Sequence, residues 1–183
     1  MANSVADPAA AGDRDMLLHF EVELFLREEA ALVDEGRWND WLELFTEDAR
    51  CWMPAFESTP EEELPTGLPD EFRLATIDDD KAFLRMRVKR LGTGLAHAEQ
   101  PRSRTRHMIT NLRLRDVRRS GDDVDVTACT NFIVFQARLE LSEQLFVGRR
   151  EDTLRKRVGA WLIARRNIWL DHSVLPHSLS TIL

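Results

Sequence analysis

DVDVTACTNFIVFQAR, which spans Asp123–Arg138, has the residue pattern of a long β-strand. Its first part places Val124, Val126 and Ala128 in one phase and polar residues in the other, as in a strand with one buried face. Three stretches of similar pattern lie in the same half of the chain, at residues 104–117, 144–155 and 160–171. Glycine-containing turn sequences lie between neighbours at residues 120–122 and 157–159. Because short return connections bring strands back beside each other, we predict four antiparallel strands.

The first half of the chain has helical spacing instead. Strong helix formers fill residues 15–35, and apolar side chains recur three or four positions apart, as in Leu17, Phe20 and Leu24. We predict a helix over residues 15–35 that Gly36 ends, since glycine often follows a helix C-terminus. The further elements that we predict are a short helix at 37–45, a short strand at 51–54, a loop at 57–69, a third helix that begins at Asp78–Asp80 and ends at Gly92, and a loop at 92–103.

This order of elements predicts the fold class. Helices followed by a meander of long strands are typical of an α+β domain. We expect the N-terminal helices to pack in a strongly bent antiparallel sheet, because this arrangement buries the apolar faces of both. Residues 1–14 are predicted to form a flexible N-terminal arm, and residues 15–183 a single domain, since a chain of 183 residues suits one substantial core.

Two predicted strands carry more apolar residues than one covered face needs. Residues 132–135, FIVF, are apolar in both phases. The last strand has Trp161, Ile163 and Trp169 in one phase, and the other phase contains Leu162, Ala164, Ile168 and Leu170. The predicted helices cover only one side of a sheet, so we predict that a second subunit covers the other. Loops that fold over the sheet are the alternative.

Composition excludes several classes of function. The formal net charge is −7, from 25 basic and 32 acidic residues, and an acidic surface is poorly suited to bind nucleic acid. No apolar run approaches the roughly 20 residues that span a bilayer, and residues 1–12 lack the pattern of a signal peptide. Two cysteines, Cys51 and Cys129, are too few for a disulfide framework. We expect a cytoplasmic protein that binds neither nucleic acid nor membrane.

The chain offers few residues for catalysis or for metal binding. Asp171, His172 and His177 are the best candidates, because two histidines and a carboxylate can bind non-haem iron. However, Pro176 lies between the histidines and no further carboxylate follows. The cysteines lack zinc or iron–sulfur spacing, and no P-loop, dinucleotide glycine pattern or nucleophile elbow is present. We therefore predict no catalytic residue, cofactor site or metal site in this chain.

Several short blocks follow one another in an order that is known from one family. They are ELFLREEA at 23–30, LVDE at 32–35, WNDWL at 38–42, DARCWMP at 48–54, FVGRRED at 146–152 and LDHSVL at 170–175. Together they resemble the small (β) subunits of aromatic-ring-hydroxylating dioxygenases. RLGTGLA at 90–96, followed by SRTRH at 103–107, looks like the biphenyl, benzene and toluene branch. The chain departs from its relatives at His97, at Pro101-Arg102 and in the tail at 178–180.

The resemblance implies a cystatin-like, NTF2-like cone and a chiefly structural role. Such subunits assemble with a catalytic α subunit and with other β subunits, commonly as α3β3. The α subunit holds a Rieske [2Fe–2S] cluster and mononuclear Fe(II), and a reductase and often a ferredoxin deliver electrons from NADH. The complex cis-dihydroxylates an aromatic hydrocarbon with O2, in aromatic hydrocarbon catabolism. As candidate subunit-contact residues we name Arg104, Arg106, His107, Arg165, Arg166, Trp169, Asp171 and His172.

Two other functions stay open at this point. A stand-alone NTF2-like isomerase or dehydratase uses the same cone as a substrate pocket, and Leu44–Ala49 matches a segment of ketosteroid isomerases. The position of their general base is Met53 here, and its thioether cannot abstract a proton. An Asp–His pair such as Asp48 with His107 could substitute for that base. The third function is a binding or scaffold module, since one fold hosts many functions.

Overall fold

The computed structural model describes residues 8–54, 75–92, 103–138 and 142–172. Its elements are α1 (Pro8–Glu35), α2 (Trp38–Glu43), β1 (Phe45–Pro54), β2 (Ala75–Asp80), α3 (Lys81–Gly92), β3 (Arg104–Ser120), β4 (Asp123–Arg138), β5 (Ser142–Arg157) and β6 (Ala160–Leu170). The six strands form one sheet in the order β2-β1-β6-β5-β4-β3. Neighbouring strands are antiparallel except β1 and β6, which are parallel. The predicted α+β class is confirmed.

The long strands of the second half agree with the predicted ones. β4 has the predicted limits, and β3, β5 and β6 differ from theirs by a few residues. All three pairs that they form are antiparallel, as predicted. The turn between β5 and β6 contains Val158 and Gly159, both with left-handed backbone, at φ values of 50° and 80°. This conformation matches the twist of a two-residue hairpin.

The first half differs from the prediction in three places. α1 begins at Pro8, so residues 8–14 are helical rather than part of a flexible arm. β1 is longer than the predicted strand at 51–54, because its backbone pairs with β2 on one side and β6 on the other. β2 was not predicted at all, since its acidic residues resemble a helix start. The predicted loop at 57–69, and nearly all of the one at 92–103, lie outside the described residues.

The core lies between α1 and the inner face of the curled sheet. α1 buries a stripe of apolar side chains at helical spacing: Leu18, Val22, Leu26, Ala30 and Val33. These residues belong to the main core, together with Trp41, Phe45, Val126, Leu154 and Ile163. A second cluster, around Phe132, Val134 and Phe146, continues the core along the same face. No helix in the described part of the chain is long and apolar enough to cross a bilayer.

β6 contains an extra residue that changes which side chains face the core. Leu154 pairs with Ile163 and Thr153 pairs with Arg165, so Ala164 has no partner on β5. Ile163 and Ala164 are both buried, which breaks the alternation of a regular strand. Beyond the bulge, Arg166 and Ile168 are buried and Arg165 is exposed. Ile163 and Trp169 therefore lie on opposite faces, and the prediction that they share one phase is wrong.

β4 does carry apolar residues on both faces. Phe132 and Val134 are buried in the second core cluster, on the inner face. Ile133 and Phe135 lie on the outer face, where Phe135 is 37% exposed. The sequence predicted apolar residues on both faces, and β4 has them. In β6, much of the apparent two-faced pattern arises because the bulge shifts the phase of the strand.

β3 lies at one edge of the sheet and is irregular along its length. Its pairing with β4 shifts between Thr110 and Arg113 and again between Arg115 and Arg118. Asn111 and Asp116, which lie within these two shifts, have left-handed backbone, with φ values of 55° and 53°. The longest strand of the sheet is therefore kinked twice.

Candidate functional site

Four charged side chains form a network inside the sheet. We call Glu29 of α1, Arg150 and Asp152 of β5, and Arg166 of β6 the inner charge network; each is at most 2% exposed. Arg166 donates hydrogen bonds to Glu29 Oε1 and to Asp152 Oδ1, both at 2.8 Å. Arg150 Nη2 donates to Glu29 Oε2 at 3.2 Å, and its Nε lies 2.8 Å from Asp152 Oδ2. The network links one helix to two strands.

The network is electrically balanced, with two carboxylates and two guanidinium groups. Burial by itself raises the pKa of Glu29, but the charges of Arg166 and Arg150 outweigh it and hold this pKa far below the usual range. Burial likewise opposes the charge of Arg166, and Asp152 and Glu29 reverse the effect and raise its pKa. Trp41 Nε1 donates a further hydrogen bond of 2.7 Å to Glu29 Oε1. Glu29 and Arg166 are therefore ionised at neutral pH.

This arrangement is poorly suited to proton transfer. A general base needs a pKa near the working pH, and the carboxylate of Glu29 is far too weak a base. Its two oxygens already accept hydrogen bonds from Trp41, Arg166 and Arg150. Met53, at the position where ketosteroid isomerases have their base, is 1% exposed and packs in the second core cluster. The inner face at this level is filled by side chains that bind one another.

A second polar cluster joins the end of α1 to β3. His107 Nδ1 lies 2.6 Å from Asp34 Oδ1, and the His107 backbone N–H and the Thr105 hydroxyl donate to the same carboxylate at 3.0 Å. Burial raises the pKa of Asp34, but the hydrogen bonds from His107 and Thr105 lower it overall. Asp48 is exposed and binds Arg155 instead. The proposed pairing of Asp48 with His107 is therefore wrong.

The outer face of the sheet carries an apolar patch. We call Met108, Ile133, Phe135, Leu145 and Val147 the outer patch. Phe135 pairs with Leu145 across β4 and β5, and Ile133 pairs with Met108 and Val147, so the five lie side by side. Met108 is 45%, Phe135 37% and Leu145 49% exposed. Contiguous apolar patches on protein surfaces are often sites of contact with another molecule.

Arginine side chains border the outer patch. Arg106 is in register with Phe135 and its side chain is 74% exposed. Arg149 lies over the ring of Trp169, 4.2 Å from the ring centroid, and Trp169 in turn meets the edge of Trp52. Arg165 lies farther along the outer face, level with Thr153 and away from the patch, where it is exposed and donates to Asn167 Oδ1 at 3.1 Å. Charged groups at the rim of an apolar surface select partners of complementary charge.

The structure divides the eight predicted contact residues. Arg104, Arg106, Arg165 and Asp171 are exposed, and Trp169 is partly exposed. His172 is also partly exposed, with its ring centroid 6.2 Å from that of Phe146. Arg166 and the side chain of His107 are buried and bind carboxylates of their own chain. We therefore remove Arg166 and His107 from the candidates for direct contact, because neither side chain reaches the surface.

Two of the three predicted iron ligands lie within the described residues. Asp171 and His172 are the last two described residues, and His177 lies outside them. Among the residues that the structure describes, no three His, Cys, Asp or Glu side chains are grouped as metal ligands. Cys51 is buried on the inner face beside Arg166, and burial raises the pKa of its thiol to about 12.

Comparison with known proteins assigns the family. The family model described as ring hydroxylating beta subunit matches residues 28–177. A β subunit of 3-phenylpropionate/cinnamic acid dioxygenase from Photorhabdus laumondii is 36% identical over 168 residues, which are 90% of this chain and 91% of the relative. This chain belongs to the ring-hydroxylating dioxygenase β subunits. The resemblance seen in the sequence blocks is thus confirmed, and the chain is a subunit of a dioxygenase.

Solved structures agree on the fold of this β subunit. A chain of naphthalene 1,2-dioxygenase with indole bound superposes with a TM-score of 0.78 at 19% identity, with full coverage of both chains. An NTF2-like protein with a cystatin-like fold from Novosphingobium aromaticivorans superposes with a TM-score of 0.54 at 17% identity, covering 97% of this chain and 96% of its own. At such identities the likeness concerns the fold alone, and it confirms the predicted NTF2-like cone.

The inner charge network was not predicted from the sequence, although β5 contains a signal for it. Phe146 and Leu154 are buried in the same phase as Arg150 and Asp152, so two opposite charges occupy a phase that begins and ends with core residues. Similarly, Glu29 lies next to the buried stripe of α1. Charged residues of opposite sign within apolar phases indicate a buried ion pair, because an unpaired charge there is too costly.

Proposed function

We propose that this β subunit is a non-catalytic, structural part of an aromatic-ring-hydroxylating dioxygenase and that its outer patch binds the catalytic α subunit. The observation that carries the proposal is the contrast between the two faces of the sheet. On the inner face the charged side chains are paired and buried within the chain. On the outer face Met108, Phe135 and Leu145 remain exposed in the isolated chain.

The outer patch is large enough to contribute to a stable contact. Burial of apolar surface stabilises a complex by roughly 25 cal/mol per Å², so a few large side chains supply several kcal/mol. The side chains of Arg104, Arg106 and Arg149 lie on the same face beside the patch. A partner with carboxylates around an apolar surface would match this arrangement. Such charges add specificity and speed of association more than affinity.

We infer the composition of the complete complex from the family assignment. We infer an α3β3 assembly in the cytoplasm, in which each β chain forms a single domain. The α subunit would hold the Rieske [2Fe–2S] cluster and the mononuclear Fe(II), and a reductase and a ferredoxin would supply electrons from NADH. The substrate would be an aromatic hydrocarbon of the biphenyl, benzene or toluene class.

Co-purification tests the contact surface. The β chain is produced together with the α subunit from the neighbouring reading frame, with a tag on the α subunit alone. We expect the wild-type β chain to be retained and the double variant Phe135→Asp/Leu145→Asp to be lost, since two charged carboxylates would replace the apolar side chains of the contact. The control is Val158→Asp at the hairpin tip, where the side chain is fully exposed and away from the patch.

Two outcomes would contradict the proposal. Retention of the double variant at the wild-type level would show that the α subunit binds elsewhere on the chain. Turnover of a small molecule by the purified β chain alone would show that it is an enzyme in its own right. The second outcome would revive the isomerase or dehydratase function, which neither Met53 nor the partners of Asp48 and His107 favour.

A further inference from the structure

Helix α1 carries an apolar surface that the chain itself does not cover. Met16, Leu17, Phe20 and Leu24 are all exposed, by between 42% and 69%. Leu17, Phe20 and Leu24 recur at intervals of three and four residues, so they lie on one face of the helix. This face points away from the buried side chains of α1, which follow their own helical spacing from Leu18 to Val33. We call the four exposed residues the α1 surface.

Helix α3 carries a smaller surface of the same kind. Phe83 and Met86 are 54% and 55% exposed. They lie three residues apart, on the face opposite to the buried Leu84 and Val88. We call these two residues the α3 surface. Contiguous apolar groups on protein surfaces are often sites of contact with another molecule.

The two surfaces lie on different parts of the molecule. α1 packs on β3, which is one edge strand of the sheet, and α3 packs on β2, which is the other. Because every residue of the α1 surface and the α3 surface remains exposed, neither surface covers the other within one chain. A second molecule is needed to cover each of them.

The two helices have opposite charges. α1 contains eight acidic and two basic residues, whereas α3 contains five basic and no acidic residues. Glu28, one turn beyond Leu24, and Lys89, one turn beyond Met86, are both exposed. Within the described part of the chain, neither of the two has an ion-pair partner. Complementary charges favour contact of α1 with α3, and like charges disfavour contact of α1 with another α1.

Contact between an α1 surface and an α3 surface joins two different parts of the chain. Each chain then has one further surface free, on which the next copy binds in the same way. Such chains close into a ring when the rotation between neighbours permits it. A contact of α1 with α1 would use the same surface of both chains and would stop at two copies. A ring of three copies matches the three β chains of an α3β3 assembly.

We propose that the α1 surface of one β chain binds the α3 surface of the next, so that three β chains form a ring. This inference rests on the proposed function, because it starts from the α3β3 assembly and names the surfaces that join its β chains. The contact leaves the outer patch free, since Met108, Phe135 and Leu145 lie on the other face of the sheet. Each β chain therefore uses separate surfaces for the α subunit and for its β neighbours.

Cross-linking between differently tagged β chains tests the contact. One chain carries Leu24→Cys and the other carries Met86→Cys, and both are produced together with the α subunit. A short bismaleimide reagent is added to the purified complex, and covalent β–β products are identified by their tags. Cys51 and Cys129, the cysteines of the native chain, are both buried, so the wild-type complex provides the background.

We expect a β–β product that carries both tags, and no product between two chains with the same substitution. In the Leu24→Cys chain, Leu17→Asp/Phe20→Asp should lower the yield at least ~10-fold, because it places charges in an apolar contact. The matched control is Leu17→Met/Phe20→Leu, which keeps the surface apolar and should retain the yield within about 3-fold. Both positions are exposed in the isolated chain, so neither variant should unfold it.

Charge reversal tests the choice of a second copy as the partner. Glu28→Lys in the Leu24→Cys chain, or Lys89→Glu in the Met86→Cys chain, should each lower the yield about 2- to 5-fold, as expected for exposed charge pairs. When both changes are present, opposite charges again face each other across the contact, and the yield should recover. A combination that recovers nothing would refute the charge complementarity and the inference with it.

The inference is overturned if the mixed product does not form in a complex that contains three β chains, or if Leu24→Cys chains cross-link with one another. It is also overturned if Leu17→Asp/Phe20→Asp keeps its β–β product and loses the α subunit, since the α subunit would then cover the α1 surface.

Failure of the proposed function is seen separately. A complex whose native mass includes a single β chain would refute the α3β3 assembly itself, and this inference with it. If Phe135→Asp/Leu145→Asp retains the α subunit while the mixed β–β product still forms, the outer patch is wrong as the α contact and the contact between β chains stands.

Discussion

The inner and outer faces of the same sheet differ in which side chains they bury and which they expose. On the inner face, two arginines and two carboxylates are removed from water, and each is paired within the chain. On the outer face, Phe135 and Leu145 are left partly in water. The comparison shows that the polarity of a side chain does not by itself indicate its role. What indicates it is an environment that is energetically unfavourable for that side chain, such as a charge in the core or an apolar group in water. Buried charges that are paired within the chain need no second subunit, whereas apolar side chains left in water indicate a partner.

The largest effect is expected from removal of the Glu29 carboxylate from the inner charge network. Glu29→Ala leaves Arg166 and Arg150 with a single carboxylate, Asp152, and so buries an uncompensated positive charge. The free energy of unfolding should fall by about 3–5 kcal/mol, as measured by denaturant titration. Glu28→Ala is the control, since Glu28 is exposed on the same turn, and it should change stability by less than about 0.5 kcal/mol. Equal effects of the two substitutions would refute the importance of the network.

Acid should also destabilise the fold through the inner face, by protonation of Glu29. The pKa of Glu29 is lower in the folded chain than its ordinary value of 4.5, so the ionised form stabilises the fold above that pH. This stability is lost as the pH falls below about 4.5, at up to roughly 1.4 kcal/mol per pH unit for one proton. The lowered pKa of Asp34 adds to the same acid sensitivity.

Denaturant titrations between pH 7 and pH 3 measure this loss. Glu29→Gln/Arg166→Met should lose less stability over that range than the wild type does, because it lacks one of the two carboxylates. An equal loss in both chains would show that Glu29 does not contribute to acid unfolding.

The two cysteines sharpen the comparison, since one lies on each face. Cys51 is on the inner face, and its raised pKa of about 12, against an ordinary value of 9.0, should reduce the thiolate fraction about 1000-fold. Cys129 lies on the outer face, where Arg115 Nε contacts its sulfur at 3.1 Å. In the folded chain at pH 8 we expect no alkylation of Cys51, because burial keeps its thiol protonated. Mass spectrometry of labelled peptides identifies which cysteine has reacted.

The smallest effect concerns a site on neither face, at the tip of the β5–β6 hairpin. Val158 has a left-handed backbone at φ 50°, which a β-branched residue adopts only with strain. Val158→Asn should stabilise the chain by about 0.5–1 kcal/mol, because asparagine tolerates this conformation. The melting temperature measures the change. A loss of stability would show that the exposed valine has a packing role.

Strand alternation in the sequence was enough to locate the long strands but not to orient all of them. In β4, Val124, Val126 and Ala128 predicted the inner face correctly, since no irregularity interrupts its pairing with β5. In β6, one extra residue reversed the phase, and Trp169 could not be placed by counting from Ile163. The bulge depends on contacts between strands, and these are not encoded in the composition of β6 alone.

The same limit applies to the candidate site. Arg104, Arg106 and Arg165, which we predict as contact residues, are exposed in the structure. Arg166 was wrongly grouped with them, since its partners lie 14 and 137 residues away in sequence. β2 was missed for a related reason: its acidic residues are accommodated by pairing with β1 and by Arg87, which binds the buried Asp79. Pairs of charges that are distant in sequence are the contacts that are most difficult to predict from a single sequence.

The two kinks in β3 have a consequence for the life of the free chain. A straight strand of this length at the rim of a sheet would offer a continuous row of backbone donors and acceptors, on which a second copy could grow into a fibre. Asn111 and Asp116 interrupt that row, so β3 offers no straight template for such growth. The kinks therefore disfavour fibre growth at this edge during the interval before a newly made subunit meets its partner.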